Sequence, residues 1–342
     1  MKLYGKEIEK LELLRRVRNI KQVISIDVSE SVEGPSKGVR RFDFRNGSGL
    51  EFTVLPDKCL DIPTLRYKGY SMGVGGTVTA PALALPLNKF ESARYMGGGM
   101  MFTSGLFSSG YPNEDAEGEY HPIHGRVAMV PAQDTYTKQG FDDDGSYIME
   151  CGGTVIENGA GGKSLSLTRR ISTEAGKSEI LIEDTLENLT PRETAYMILY
   201  HSNFGWPMLD EGLRCIFPKS KITPRTPQAE AGIADAEKIT SPVDGFFEHC
   251  FFREAEPDEN GWATHKIEND KIGIGAYVSQ DLSTLPILLQ WKSMAPGGYA
   301  LGLEPTNNYI NGRAAAIADG TIPKIGPYGK IKFNLKIGFY DL

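Results

Sequence analysis

Three polar segments interrupt apolar runs in this 342-residue sequence, and each holds groups able to move protons. The first is His121-Pro122-Ile123-His124-Gly125-Arg126. The second, Leu199-Tyr200-His201-Ser202-Asn203-Phe204-Gly205-Trp206-Pro207, closes an apolar run that begins at Thr194. In the third, Gly302-Leu303-Glu304-Pro305-Thr306-Asn307-Asn308, an apolar run meets a carboxylate. An imidazole and a carboxylate tuned toward neutral pH can act as general acid and base. Arg126, Asn203 and Trp206 beside them suit a sugar, whose hydroxyls accept and donate hydrogen bonds and whose ring face stacks on an aromatic. Trp291 is a second candidate platform. A lone histidine, or a Glu before Pro, is usually a structural residue. Here two of only five histidines and Glu304 share the same setting at expected strand ends, and that conjunction points to chemistry.

Other chemistries lack their residues. His121 and His124 would need His201, His249 or a carboxylate to hold a metal, and Pro122 breaks the helix that would put an i, i+3 pair on one face. There is no HExxH, no cysteine ligand set, no GxGxxG after a strand, no GxxxxGK[ST] and no GxSxG. The expectation is a site without metal or cofactor. Glu248, among bulky aromatics in Phe246-Phe247-Glu248-His249-Cys250-Phe251-Phe252, points either into a pocket or to solvent.

The elements that must position these groups read mostly as strands. Ile331, Phe333, Leu335, Ile337 and Phe339 alternate with polar residues, as a half-buried antiparallel strand does. Leu165, Leu167 and Ile171 repeat the pattern, and Ser178 to Leu186, Thr194 to Tyr200, Gly273 to Ser279, Pro286 to Lys292 and Tyr299 to Leu303 are sheet-forming runs. Val39 to Arg45 and Leu50 to Leu55 flank Asn46-Gly47-Ser48-Gly49 as a hairpin. Ile8, Leu11, Leu14 and Val17 suggest a short amphipathic helix within residues 1–21. Gly97 to Tyr120 reads as a long glycine-rich loop, and Pro218 to Asp244 as a second irregular region. Strands following one another without long helical stretches favour a sandwich or barrel. Without a composition break or internal repeat, one domain over residues 1–342 is expected.

Composition excludes several classes. Thirty-seven Lys and Arg against 44 Asp and Glu give a net charge of −7, and no basic run of five occurs, so nucleic acid is not expected as a partner. The N-terminus lacks the apolar stretch of a secretory signal, and no run of 18 apolar residues suggests a membrane span. A cytoplasmic location follows as an expectation, with Cys59, Cys151, Cys215 and Cys250 read as reduced, mostly core thiols.

Five pieces in order resemble the aldose 1-epimerase (galactose mutarotase-like) superfamily, specifically its DUF4432 branch. They are Leu55-Pro56-Asp57-Lys58-Cys59-Leu60-Asp61-Ile62, Gly97-Gly98-Gly99 with Phe102-Thr103-Ser104-Gly105-Leu106, His124-Gly125-Arg126, His201-Ser202-Asn203-Phe204-Gly205 and Leu303-Glu304-Pro305. The resemblance implies an all-β fold, the β-supersandwich of the galactose mutarotase type, here with a short N-terminal helix. It implies that His124 bonds the sugar, His201 is the general acid and Glu304 the general base. This chain departs from the pattern in two places. Ser202 follows His201 where Pro is usual, which shifts Asn203, and Lys58 stands where the branch commonly carries Arg. Lys and Arg are not interchangeable at a bidentate site. Glu248 or Asp244 is the candidate for the superfamily's substrate-contacting Asp.

The expected function is therefore mutarotation of an aldose, with Glu304 and His201 catalytic. His124, Arg126, Asn203, Asp61, Lys58, Trp206, Glu248 and Asn307 are the expected substrate contacts, with Asn308 a further candidate. The rivals are another sugar isomerase, epimerase or lyase on the same scaffold, and a non-catalytic sugar-binding protein. A small sugar is the expected partner, with a homodimer left open as the assembly.

Overall fold

The computed structural model describes residues 1–76, 78, 89–90, 93 and 98–342. Two large antiparallel sheets dominate. The smaller, eight-stranded sheet runs in the order Gln133–Phe141, Tyr147–Gly159, Lys163–Glu174, Glu179–Asn188, Lys330–Asp341, Ile274–Asp281, Trp262–Asn269 and Arg214–Ile216. The larger, eleven-stranded sheet begins at the edge strand Ser220–Pro224 and passes through His249–Ala255, Ile287–Ser293, Ala300–Thr306, Met197–Phe204 and Met101–Leu106. It continues through Asp61–Tyr67, Leu50–Leu55 and Arg40–Arg45 to Ser25–Glu30, with Tyr70–Ser71 paired on Asp61–Tyr67. The hairpin expected around Asn46 to Gly49 forms between Arg40–Arg45 and Leu50–Leu55.

The sheets pack face to face because each presents a row of apolar side chains at every second position. Leu167, Ile182, Leu335 and Ile337 of the smaller sheet share one core with Tyr200, Phe204, Leu288, Leu301 and Leu303 of the larger. Each fully buried Leu, Ile or Phe contributes roughly 1.5–3 kcal/mol. Side chains of opposite parity on the same large-sheet strands, Leu199, Cys250, Phe252 and Leu289, form a separate cluster on its outer face. That outer face carries the site.

Polar groups also cross the layers. Buried Arg169 grips Asp184 through Nε (2.9 Å to Oδ1) and Nη2 (2.7 Å to Oδ2), while its Nη1 donates to Cys59 O at 2.9 Å and Asp61 Oδ1 at 3.2 Å. The Tyr200 hydroxyl donates to Asp184 Oδ2 at 2.7 Å. Asp61 Oδ1 accepts from the backbone N–H and hydroxyl of Thr103. Tyr200 and Thr103 are the chain neighbours of His201 and Phe102, so this network holds two strands of the site from behind.

Four sequence expectations are corrected. The glycine-rich stretch is not a loop throughout: Met101–Leu106 is a strand within the large sheet with all six residues buried, and burial on both faces removes the alternation that would have announced it. Gly97, its first residue, lies outside the described residues. Second, Ser220–Pro224 is a strand inside the region read as irregular. Third, His201 and Glu304 lie within strands and not at their ends, since Met197–Phe204 and Ala300–Thr306 both continue past them. Fourth, the N-terminal helix spans only Lys10–Arg16, after a short hairpin of Lys2–Leu3 with Lys6–Glu7. It buries Leu13 and leaves Leu11 and Leu14 exposed, because it rests on the core by a narrower face than the spacing suggested.

Candidate active site

Register alone brings the central residues together. Ser202 pairs with Leu303 and Asn203 with Gly302, which sets His201 opposite Glu304 on the outer face of the large sheet. On one side Phe102 pairs with His201. On the other, Leu289 pairs with Glu304, Trp291 with Gly302, and Cys250 with Trp291. The side chains of Phe102, His201, Cys250, Leu289, Trp291 and Glu304, with His124, Asn203, Arg225 and Glu248, line a cavity of about 300 Å³. Such a volume accommodates a monosaccharide-sized ligand on a largely apolar surface with a few placed polar groups.

Glu304 is fully buried, and neither carboxylate oxygen has a hydrogen-bond partner among the described residues. Its Oε1 lies 3.2 Å from His201 Nδ1, yet the angles are not those of a hydrogen bond, so proximity here is contact without a bond. Burial pushes the Glu304 carboxyl well above the usual carboxylate range, and the charge of Glu248 adds to the rise. The carboxylate lies back over Gly302, two residues earlier on the same face. A Cβ built at Gly302 would meet Glu304 Oε1 at 2.1 Å, so the absence of a side chain there makes room for the carboxylate.

The His201 ring is aimed by packing. It stacks on Phe102 with centroids 4.4 Å apart and meets the edges of His124 at 5.3 Å and Trp291 at 5.6 Å. Burial, then the nearby His124, depresses its pKa well below the ordinary histidine value. His124 sits in a left-handed backbone conformation (φ 58°) that few residues adopt. Hydrogen bonds hold it there: its N–H donates to Gly110 O at 2.8 Å, and its carbonyl accepts from Gly105 N at 3.2 Å and the Ser104 hydroxyl at 3.0 Å. Burial and the charge of Arg225 lower the His124 pKa to about 4. Gly125 follows with φ 73°, where a Cβ would come within 2.3 Å of Gly105 O, which explains the His-Gly pair. Trp291 donates its indole N–H to Glu248 Oε2 at 2.8 Å and fixes that carboxylate at the cavity wall.

Of the residues singled out by sequence, Glu304, His201, His124, Asn203, Glu248 and Trp291 line the cavity. The others sit elsewhere. Asp61 is turned to the inter-sheet side, tied to Arg169 and Thr103, and burial raises its carboxyl to about 7. Lys58 is buried beside it, its pKa lowered to about 8 by burial against the attraction of Asp61. The Arg126 guanidinium donates to Tyr120 O at 2.7 Å. Trp206 is 70% exposed and is not among the residues lining the cavity. Asn307 Oδ1 accepts from Ile198 N at 2.9 Å and Asn308 bonds to Ile198 O and Thr306, so both fasten strands together. His121 pairs with Asp115 at 3.1 Å instead of joining His124, and the group Asp115, Glu119 and His121 is already engaged by Arg313 at 3.7 Å. His249 is likewise outside the cavity lining, its ring packed against Phe246. Phe102, Arg225, Cys250 and Leu289 line the cavity but were not predicted as contacts. Phe102 was visible only as part of a motif, and Arg225 only as one basic residue between two prolines.

The comparisons with known proteins agree with this architecture. No curated protein matches the sequence. A solved structure from Klebsiella pneumoniae subsp. pneumoniae MGH 78578, described as a "putative aldose 1-epimerase", superposes with a TM-score of 0.87 at 24% identity, covering 94% of this chain and 87% of that one. A galactose mutarotase-like protein from Clostridium acetobutylicum gives 0.59 at 16% identity over 94% of this chain and 100% of its own. Galactose 1-epimerase from Lactobacillus acidophilus NCFM gives 0.58 at 12% identity over 93% and 99%. At these identities the likeness establishes the fold, which is of the galactose mutarotase type. No helix among the described residues is long and apolar enough to cross a membrane. The family model "Domain of unknown function (DUF4432)" matches residues 36–339, and the chain belongs to that family.

Proposed function

We propose that the chain interconverts the anomers of an aldose by proton transfer through Glu304 and His201. The observation that carries this reading is a fully buried carboxylate on the cavity wall, with no hydrogen-bond partner among the described residues and 3.2 Å from an imidazole nitrogen. Leaving such a group unsatisfied costs free energy, which a ligand's hydroxyls would recover.

Burial favours a protonated Glu304 beside a neutral His201, so the pair carries one proton to exchange. Hydrogen bonds from sugar hydroxyls stabilise a carboxylate over a carboxyl. The proton then passes to His201, leaving a base and an acid at adjacent positions. Glu304 removes the proton of the anomeric hydroxyl as His201 protonates the ring oxygen; the ring opens, the C1–C2 bond rotates and the ring closes on the other face. Each transfer contributes about 10²–10⁴-fold. His124 and Asn203 stand where they can bond the remaining hydroxyls.

Polarimetry of freshly dissolved α-glucose, α-galactose and a panel of other aldoses tests the reading. Accelerated approach to the equilibrium rotation without a new sugar is expected. A new sugar would indicate an isomerase or epimerase, and affinity without acceleration a binding protein.

A further inference from the structure

Arg225 lines the same cavity, and anomer exchange as described makes no use of it. It follows the edge strand Ser220–Pro224, and its backbone N–H donates to Cys250 O at 3.0 Å. Its guanidinium carbon lies 4.2 Å from the centroid of the Tyr111 ring, and its Nε contacts Asn311 Oδ1 at 3.4 Å. The Cys250 thiol also contacts it, and burial pushes that thiol up to about 12, so it stays neutral. None of these partners is anionic. Among the described residues no carboxylate stands within ion-pair distance of Arg225, in contrast to Arg40, Arg169, Arg170 and Arg253. Of the carboxylates lining the cavity, Glu248 takes the Trp291 indole N–H and Glu304 faces His201.

A half-buried cation facing a mostly apolar cavity pays for desolvation unless an anion meets it. A guanidinium meets phosphate or carboxylate with two parallel, charge-assisted hydrogen bonds. The chain's net charge of −7 repels anions in general, so selection of one would fall to a local cation. The position suits this. Cys250 pairs with Trp291 and Trp291 with Gly302, so three strand spacings, roughly 14 Å, separate the Arg225 main chain from the strand of Glu304. Arg225 and His124 line the same cavity, and the guanidinium charge acts on the His124 ring. A sugar with its anomeric carbon at Glu304 would turn its far end toward the guanidinium.

We propose that the substrate is an aldose carrying an anionic group, as a phosphate ester or a carboxylate, and that Arg225 selects it. The proposal rests on the anomer-exchange reading for the placement of the sugar. Exchange rates measured by NMR for galactose, galactose 6-phosphate and galacturonate, and for glucose, glucose 6-phosphate and glucuronate, test it and tell phosphate from carboxylate. At least one anion should exceed its neutral parent about tenfold in kcat/KM. Arg225→Met should bring that ratio to about one, chiefly through KM, while Arg225→Lys retains part of it, which separates charge from loss of packing on Tyr111. Neutral parents matching or exceeding both anions, or an unchanged ratio in Arg225→Met, would overturn the proposal. If no sugar is turned over, the anomer-exchange reading falls, and calorimetric binding of the same six sugars decides this proposal separately. Tighter binding of an anion, lost in Arg225→Met, supports it; no preference for an anion overturns it.

Discussion

Glu304 is buried on the cavity wall and no protein donor among the described residues satisfies it, and the space it occupies exists because residue 302 has no side chain. Gly302→Ala therefore tests placement directly. The new methyl would displace the end of a flexible side chain and press on Trp291 Cβ at 3.0 Å, which a strand can accommodate. We expect a folded protein, with a Tm within a few degrees of the parent, whose anomer exchange falls at least tenfold. Unchanged exchange would mean that the carboxylate position is unimportant. Residues of this kind were legible in sequence because a carboxylate or imidazole inside an apolar run contradicts its surroundings. Asp61 misled for the same reason: it too is a buried acid, but its partners Arg169 and Thr103 lie 108 and 42 positions away and no local pattern announces them. Arg225 carried no signal at all, since an arginine in a proline-rich connection is ordinary until folding sets it on a cavity.

At the level of elements, strands with one wet face were read correctly from period-two alternation, as in Lys330–Asp341. Strands covered on both faces were missed or truncated: Met101–Leu106 has no polar face to reveal its period, and the strand through Glu304 appeared to end where its polar residues began. The strand Trp262–Asn269 makes a separate prediction. His265 is buried against Phe217 with neither ring nitrogen hydrogen-bonded among the described residues, and burial lowers its pKa to about 3. Its unfolded value is near 6.5, so the folded state binds fewer protons between these values. The stability of neutral His265 is present above pH 6.5 and is lost as pH falls toward 3. His265→Leu removes that loss without orphaning a partner. Urea unfolding from pH 7 to 4 should fall less steeply for the variant, by on the order of 1 kcal/mol or more at pH 4. Parallel pH profiles would show that His265 is not buried neutral.

Across the whole molecule, the site is made by strand order that no local reading contains. His124, His201 and Glu304 come from three separate parts of the chain and meet because Ala300–Thr306 and Met101–Leu106 both pair with Met197–Phe204, and because Ser104 and Gly105 of Met101–Leu106 bond the His124 carbonyl. The resemblance of short motifs indicated that arrangement; composition and periodicity indicated only a β-rich chain. The smaller sheet and the Arg169 network support the site from behind, leaving the outer face for a ligand. The central claim is that Glu304 transfers a proton. Anomer exchange of the best aldose substrate, measured by NMR for the parent and Glu304→Gln, tests it most directly, because glutamine keeps the volume and removes the basic oxygen. The account predicts a fall in kcat of at least about 10²-fold with KM changed only a few-fold. Full turnover by Glu304→Gln would contradict it and leave Glu304 as a buried carboxyl without a catalytic role.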